Sequence, residues 1–415
     1  MKVYEYDCAV IGGGSAGMAA ALEVEKNGLS AVIIEREENL GGVLLQCIHN
    51  GFGLHEFREE LTGPEFAERF ERQVKEKNIT VFLETTVMNV VTGEKKELHC
   101  YSKIHGVFLI RSKAIILAMG CRERNRGNIG IPGTRPAGIF TAGLAQRLMN
   151  IDGFIPGKDV VILGSGDIGL IMARRLMWSN CNVHAVIEIQ KYPSGLTRNI
   201  VQCLNDFNIP LYLGHTISRI CGKDRVEKVS VVPINDGVYE YEKEFEIKCD
   251  TILLSVGLVP ENELSKKAGV QLSRQHNGPV VDASMMTNVE GVFACGNVLH
   301  VHDLVDFVTE ESKRAGHYAA LFLKGEKPGQ QKKLKAGANV RYVVPEMTDP
   351  SRDNTIYLRT MMTKNDAVLE IRENDNVIFN KKLRHVQPSE MINLILKKED
   401  LEKCTSDSDI EISIN

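Results

Sequence analysis

Two glycine-rich turns carry the clearest chemistry in this chain: Gly12-Gly13-Gly14-Ser15-Ala16-Gly17 and Gly164-Ser165-Gly166-Asp167-Ile168-Gly169. Glycines at this spacing suit a turn that offers backbone N–H groups to a dinucleotide diphosphate. In the first, Gly12 permits a tight strand-to-helix reversal, Gly14 lets the main chain approach a pyrophosphate, and Gly17 lets the helix pack close to the strands. The helix N-terminus adds unpaired N–H groups and a positive dipole end. An acid stands beyond each turn, Glu35 after the first and Glu188 after the second. A carboxylate there accepts hydrogen bonds from a ribose diol and repels a 2′-phosphate, so Glu188 favours NAD over NADP, a preference that the nearby Lys191 moderates.

Turns of this kind work only inside a strand–turn–helix–strand frame, and both have one. Residues 6–11 read as a buried strand, 16–26 as an alanine-rich helix and 30–34 as a second strand ending at Glu35. In the second copy the strand is 159–163, the helix 170–178 and the next strand 182–187, ending at Glu188. One Gly-x-Gly-x-x-Gly alone is a weak signal; two complete frames in one chain are a strong one.

The whole chain bounds the rest. At 415 residues it has room for two to four domains of about 100–200 residues. A net charge of -4 argues against nucleic acid or an anionic membrane as partner. A polar N-terminus and the lack of any run of about 18 apolar residues predict neither a secretory signal nor membrane insertion. The ten cysteines are scattered and form no Cys-x-x-Cys pair, which predicts reduced thiols and a cytoplasmic protein. The same scatter argues against a zinc or iron–sulfur site, and no metal is expected.

Three further segments fix the pattern: residues 113–120, their near repeat at 249–257, and 287–297, which ends Ala294-Cys295-Gly296-Asn297. With turns at 12 and 164, the chain over roughly residues 5–325 resembles the pyridine nucleotide-disulfide oxidoreductase superfamily, in its thioredoxin-reductase-like branch. The resemblance implies an α/β fold with two Rossmann-like dinucleotide-binding domains of the three-layer ββα type. An FAD domain split between 1–120 and 250–330 would enclose an NAD domain at 121–249. FAD would be held by Gly12, Gly14, Ser15, Ala16, Gly17, Glu35, Arg36, Gly42, Val87, Ala118, Gly120, Gly296 and Asn297, with Val87 at the adenine and Gly296 and Asn297 at the ribityl chain and diphosphate. NAD(H) would be held by Gly164, Gly166, Asp167, Ile168, Gly169, Glu188 and Gly257. Asn297 replaces the family's Asp, and its amide can still hydrogen-bond a hydroxyl.

The family's paired redox cysteines are missing. Residues 43–49 hold only Cys47, and Cys181, Cys203 and Cys221 in the second domain are not adjacent, so dithiol–disulfide exchange is not expected. Residues 41–64, 121–138 and 296–311 narrow the resemblance to bacterial FAD/NAD-linked oxidoreductases. These are often encoded beside a glycerol-3-phosphate-dehydrogenase-like flavoprotein and a small cysteine-rich protein, and related chains are subunits of amino-acid and opine dehydrogenases. That implies electron transfer with a redox partner subunit, or a homo-oligomer.

Individual residues keep two readings. Cys47 is either a flavin-side thiolate or sulfenic acid, or a small buried residue in a glycine-flanked turn. His302 follows Gly296-Asn297 and is a proton-transfer candidate, with His300 beside it and Asp303 or Asp306 as helix caps. Arg122, Arg124 and Arg126 face a cofactor phosphate, a carboxylate or water. Thr62-Gly63-Pro64-Glu65 reads as a capping box opening a helix over 65–77, with Phe66, Phe70 and Val74 as its core stripe.

After a connector at 325–335 the period becomes two. Strands are predicted at 355–360, around Ala367, Leu369 and Ile371, from 377, and at 391–396 and 410–414, as a small all-β, sandwich-like domain over 336–415. It is read as an interaction surface or a lid. Three functions are compatible: an oxidoreductase passing hydride between NADH and flavin and on to a partner protein or small molecule, with a Cys47 peroxidase or oxidase as a variant; the FAD subunit of an amine, amino-acid or glycerol-3-phosphate dehydrogenase complex; or a non-catalytic flavin-binding scaffold.

Overall fold

Cys8, Ala9, Val10 and Ile11 are buried with no polar alternation, as a strand covered on both faces must be. They end the strand Lys2–Ile11, which pairs in parallel with Ala31–Ile34 on one side and Gly106–Leu117 on the other. Thr80–Phe82 and Val292–Ala294 extend the parallel sheet at its two edges. Gly106–Leu117 is long enough to serve two layers. Its end pairs with Val292–Ala294, while Gly106 to Ser112 pair antiparallel with Lys96–Ser102, which pairs with Thr85–Val91. Helices Ser15–Lys26 and Val305–Leu323 pack closely because a Cβ at Gly316 would lie only 2.4 Å from the Ala20 carbonyl oxygen. Helix Gly63–Glu76 opens on the capping box, and Phe66, Phe70 and Val74 are buried along one face. Each such burial contributes about 1.5–3 kcal/mol.

This computed structural model describes residues 1–327, 329–404 and 408–415, in two units: 1–121 with 260–415, and 122–259. The second unit repeats the design of the first. Its parallel sheet runs Ile139–Thr141, Thr251–Leu254, Asp159–Leu163, Asn182–Glu188, Leu211–Leu213, beside an antiparallel group of His215–Gly222, Val226–Asn235 and Phe245–Lys248. The expected boundary at 249/250 is therefore corrected to 259/260. Thr251–Leu254 pairs with Ile139–Thr141 and Asp159–Leu163, just as Gly106–Leu117 pairs with Val292–Ala294 and Lys2–Ile11. An apolar strand reads the same in either sheet, and only pairing assigns it.

The C-terminal strands form two sheets, one of five strands and one of three. Leu334, Ile356, Leu358, Leu369, Ile371, Leu394 and Ile412 are among the residues of their shared core. Met391–Leu396 and Ile410–Ile414 have the expected bounds. Lys332–Ala336 is a strand where a connector was expected, and Val340–Val344 was not foreseen; Pro328 of that connector lies outside the described residues. These strands are part of the first unit: Tyr342 and Val344 belong to its main core, and Arg314 Nη1 donates to the Thr355 carbonyl at 3.2 Å. Among the described residues no helix is long and apolar enough to cross a membrane.

Candidate functional site

The first glycine turn divides its three glycines by cause. Gly12 has φ 108°, and a Cβ there would lie 2.4 Å from the Ala118 oxygen. A Cβ at Gly17 would lie 1.8 Å from the Gly12 oxygen. Gly14 is different: its φ is -73°, and a Cβ would meet no protein atom within 4 Å. What keeps Gly14 small is therefore not the chain around it, and its open face stands at the start of helix Ser15–Lys26.

Around that face the fold gathers most of the expected residues. Gly41 N donates to the Gly13 oxygen at 2.9 Å, and a Cβ on Gly42 would be 3.2 Å from Gly14 Cα. Glu35 is buried, and its carboxylate accepts Gly13 N at 2.6 Å and Glu37 N at 2.9 Å. Gly296 has φ 71° and sits against Ala16, where a Cβ would be 2.8 Å from the Ala16 methyl. Asn297 Oδ1 accepts the His302 N–H at 3.0 Å, and its Nδ2 reaches Cys121 Sγ at 3.7 Å. Gly120 has φ 70° and open space on its Cβ side. Two residues are less engaged: Val87 is only 7% exposed, and the largely exposed Arg36 side chain leans on Glu37. Open glycine face, helix N-terminus and strand-end acid together fit an FAD diphosphate and ribose.

The second turn is built alike and then covered. Gly164 has φ 94° and would clash with the Ser255 oxygen at 2.1 Å, and Gly169 with Ser255 Cβ at 2.7 Å. Glu188 is buried and accepts Ser165 N at 2.9 Å and Gln190 N at 2.9 Å, the same pattern as Glu35. In addition, Ser165 Oγ and Ser194 Oγ donate to it at 2.6 and 2.9 Å. Asp167 accepts Leu196 N at 2.8 Å and Asn199 Nδ2 at 2.6 Å. Ile168 is half-buried on that helix, and Gly257, at φ 98°, accepts Arg124 N at 3.0 Å. Lys191 pairs with Asp236 at 2.9 Å. Ser194 and Asn199 went unread because a serine in a loop and an asparagine in a short helix carry no sequence signal.

Several expected roles change. Cys47 ends the turn Gly42–Gln46, and its thiol donates to the Val43 carbonyl at 3.3 Å. Burial pushes that thiol up to about 12, so it is protonated at neutral pH, against the thiolate reading. Asp303 and Asp306 do not cap helix Val305–Leu323, which has no side-chain cap. Asp306 accepts the N–H groups of Gly53, His55 and Glu56 at 2.8–3.2 Å, and Asp303 pairs with Arg359. Arg126 spends its guanidinium on the carbonyls of Ile131, Gly133 and Thr134, so it is not turned to a phosphate.

The His302 side chain is 0% exposed, which leaves it no surface for a substrate or flavin and corrects its proton-transfer role. It belongs to a buried cluster that sequence reading missed. Glu311 accepts Gly296 N at 2.7 Å and His300 Nε2 at 2.8 Å, and His302 Nε2 lies 3.2 Å from its other side without a hydrogen bond. Burial drives His300 down to about 3. Burial alone would raise Glu311, but His302 and His300 hold it well below the usual carboxylate range. The three ligand atoms lie within 4.8 Å of one another, close enough for a cation. Ligation through Nε2 would, however, leave both Nδ1–H groups without an acceptor among the described residues, so we read a hydrogen-bonded cluster that fixes Gly296.

The family profile described as pyridine nucleotide-disulphide oxidoreductase matches residues 6–319. The chain is similar to an NADH dehydrogenase of Ferdinandcohnia aciditolerans, 29% identical over 297 residues, which are 70% of this chain and 52% of that protein. It is similar to an opine oxidase subunit of Agrobacterium tumefaciens, 24% identical over 318 residues, 70% of this chain and 61% of that one. The chain thus spans about half to three-fifths of these curated relatives. In fold it is similar to T. acidophilum thioredoxin reductase, with a TM-score of 0.62 at 22% identity, covering 77% of this chain and 98% of the other.

Proposed function

We propose that this chain, which belongs to the pyridine nucleotide-disulphide oxidoreductase family, is an FAD-dependent oxidoreductase working with NADH, with electrons leaving to a partner subunit or small molecule. One observation carries the reading. Two glycine turns each end in a buried acid, Glu35 or Glu188, held by the N–H of the middle turn residue and the N–H two residues beyond the acid. The first turn, with Gly42, Ala118, Gly296 and Asn297, would hold FAD; the second, with Gly257, would hold NADH. When bound, FAD supplies the hydride chemistry. The chain's own work is to bind and orient: Glu311 fixes the Gly296 N–H, and Asn297 fixes the His302 main chain. The ten scattered cysteines suit a reducing compartment, and the cytoplasm is the proposed location.

Anaerobic mixing of the yellow protein with NADH and then NADPH, followed by flavin absorbance, tests this. Fast bleaching by NADH and slow bleaching by NADPH is the expected result. A second reading, the FAD subunit of an amine or amino-acid dehydrogenase complex, is favoured by residues 194–199 lying over the second turn and by the likeness to an opine oxidase subunit. Bleaching by neither nucleotide would replace the first reading with this one.

A further inference from the structure

Glu188 and Asp167 are both engaged by their own chain where a nucleotide would need them. Glu188 Oε2 takes the Ser165 N–H, the Ser165 hydroxyl and the Ser194 hydroxyl at 2.6–2.9 Å. These hydroxyls use lone pairs that a ribose diol would use. Asp167 opens the helix Asp167–Trp178, so its carboxylate answers the same positive helix end that a diphosphate would answer. It is tied down by Leu196 N and Asn199 Nδ2.

The first turn is an internal control. Among the described residues Glu35 takes two main-chain N–H groups and no hydroxyl, and the helix opens on Ser15 rather than an acid. The covering segment also has the makings of a movable piece. Its residues 194–196 lie between the strand Asn182–Glu188 and the helix Thr197–Cys203 without regular structure, residues 197–199 form the first turn of that short helix, and among the described residues the amides of Ser194 and Leu196 are anchored only to side chains, Ser165 Oγ and Asp167 Oδ1.

We propose that residues 194–199 form a strap that competes with NAD(H) for Glu188 and for the N-terminus of helix Asp167–Trp178, so that Ser194 sets the affinity of the second site. This rests on reading the second turn as the NADH site. The strapped state binds no ribose at Glu188, so the observed affinity equals the intrinsic affinity reduced by the open fraction. Removing the Ser194 hydroxyl raises that fraction. A hydrogen bond to a carboxylate is strong enough for an effect of about tenfold.

The test is calorimetric titration of the FAD-loaded chain with NAD+, which binds without reducing the flavin. Ser194→Ala is expected to bind about tenfold tighter than the parent chain, and Asp167→Ser, which copies the first turn, tighter as well. Hydrogen exchange of the Ser194 and Leu196 amides is expected to speed up when NAD+ saturates the parent chain. If the parent binds NAD+ and Ser194→Ala binds it equally or more weakly, or if those amides slow down, the strap is overturned while the NADH site stands. If neither the parent nor either variant binds NAD+, the NADH reading itself fails.

Discussion

Replacing Arg359 by Met should loosen the C-terminal strands from the loop that follows Gly296-Asn297. Arg359 donates from Nη2 to the Val301 carbonyl at 3.1 Å, from Nη1 to the Ser389 carbonyl at 2.7 Å and from Nε to Tyr342 Oη at 3.2 Å. It also pairs with Asp303, and the two side chains are only 12% and 20% exposed. Methionine keeps much of the volume but none of these bonds. Breaking a buried pair by removing one partner costs about 3–5 kcal/mol, because the other charge stays behind in a poor solvent. Asp303 retains the Met391 N–H at 2.6 Å and some exposure, so the low end applies, about 3 kcal/mol. For a unit of this size, at about 2.1 cal/mol/K of unfolding entropy per residue, that is a fall in Tm of roughly 5 °C. Thermal melts followed by circular dichroism and by flavin fluorescence would measure it, with Asp303→Asn and the double variant completing a cycle. The double variant should be less damaged than the sum of the singles, since no unpaired charge remains. A loss under about 1 kcal/mol, or strict additivity, would refute the claim that this pair clamps the loop.

Other outcomes follow from the same geometry. Gly14→Ala should leave stability within about 0.5 kcal/mol of the parent while lowering the flavin-to-protein absorbance ratio, whereas Gly17→Ala, whose Cβ would lie 1.8 Å from the Gly12 oxygen, should not yield folded protein. Cys47→Ser should keep near-normal NADH-driven peroxide and oxygen turnover. In the parent, alkylation of Cys47 should be slow at neutral pH and rise about tenfold per pH unit toward its raised value of about 12, as a mass-resolved iodoacetamide time course would read. For pH, the folded chain holds His300 at about 3 against 6.5 when unfolded, and Glu311 is also lowered, so the unfolded chain binds more protons below pH 6.5. Stability should therefore fall as pH drops from 6.5 toward 3, and His300→Gln should flatten that slope in urea titrations at pH 7 and pH 5.

How much was legible depends on how local the cause is. The Thr62–Glu65 capping box spans four residues, and a strand-end acid follows its turn within one βαβ unit, so both can be read from spacing. Lys332–Ala336 hid because it reads KKLKA: with Leu334 its one fully buried residue, it lacks the apolar alternation that marks a strand. Glu311 hid because an acid on a helix is ordinarily solvated, and nothing in its neighbours announces that His300 and His302 close over it.

The sequence by itself determined the two dinucleotide turns, their flanking strands and helices, the two acids and the β-rich C-terminus. Each follows from steric or hydrogen-bonding needs within about 30 residues of chain. Only the tertiary structure decided that Thr251–Leu254 closes the second sheet, that Arg359 and Asp303 bind the C-terminal strands to the loop after Gly296-Asn297, that His302 is walled in, and that Ser194 sits on Glu188. Those outcomes depend on which polar groups are left without water once distant segments pack. A buried carboxylate takes whatever donors the fold brings near, and spacing along the chain does not encode which ones arrive.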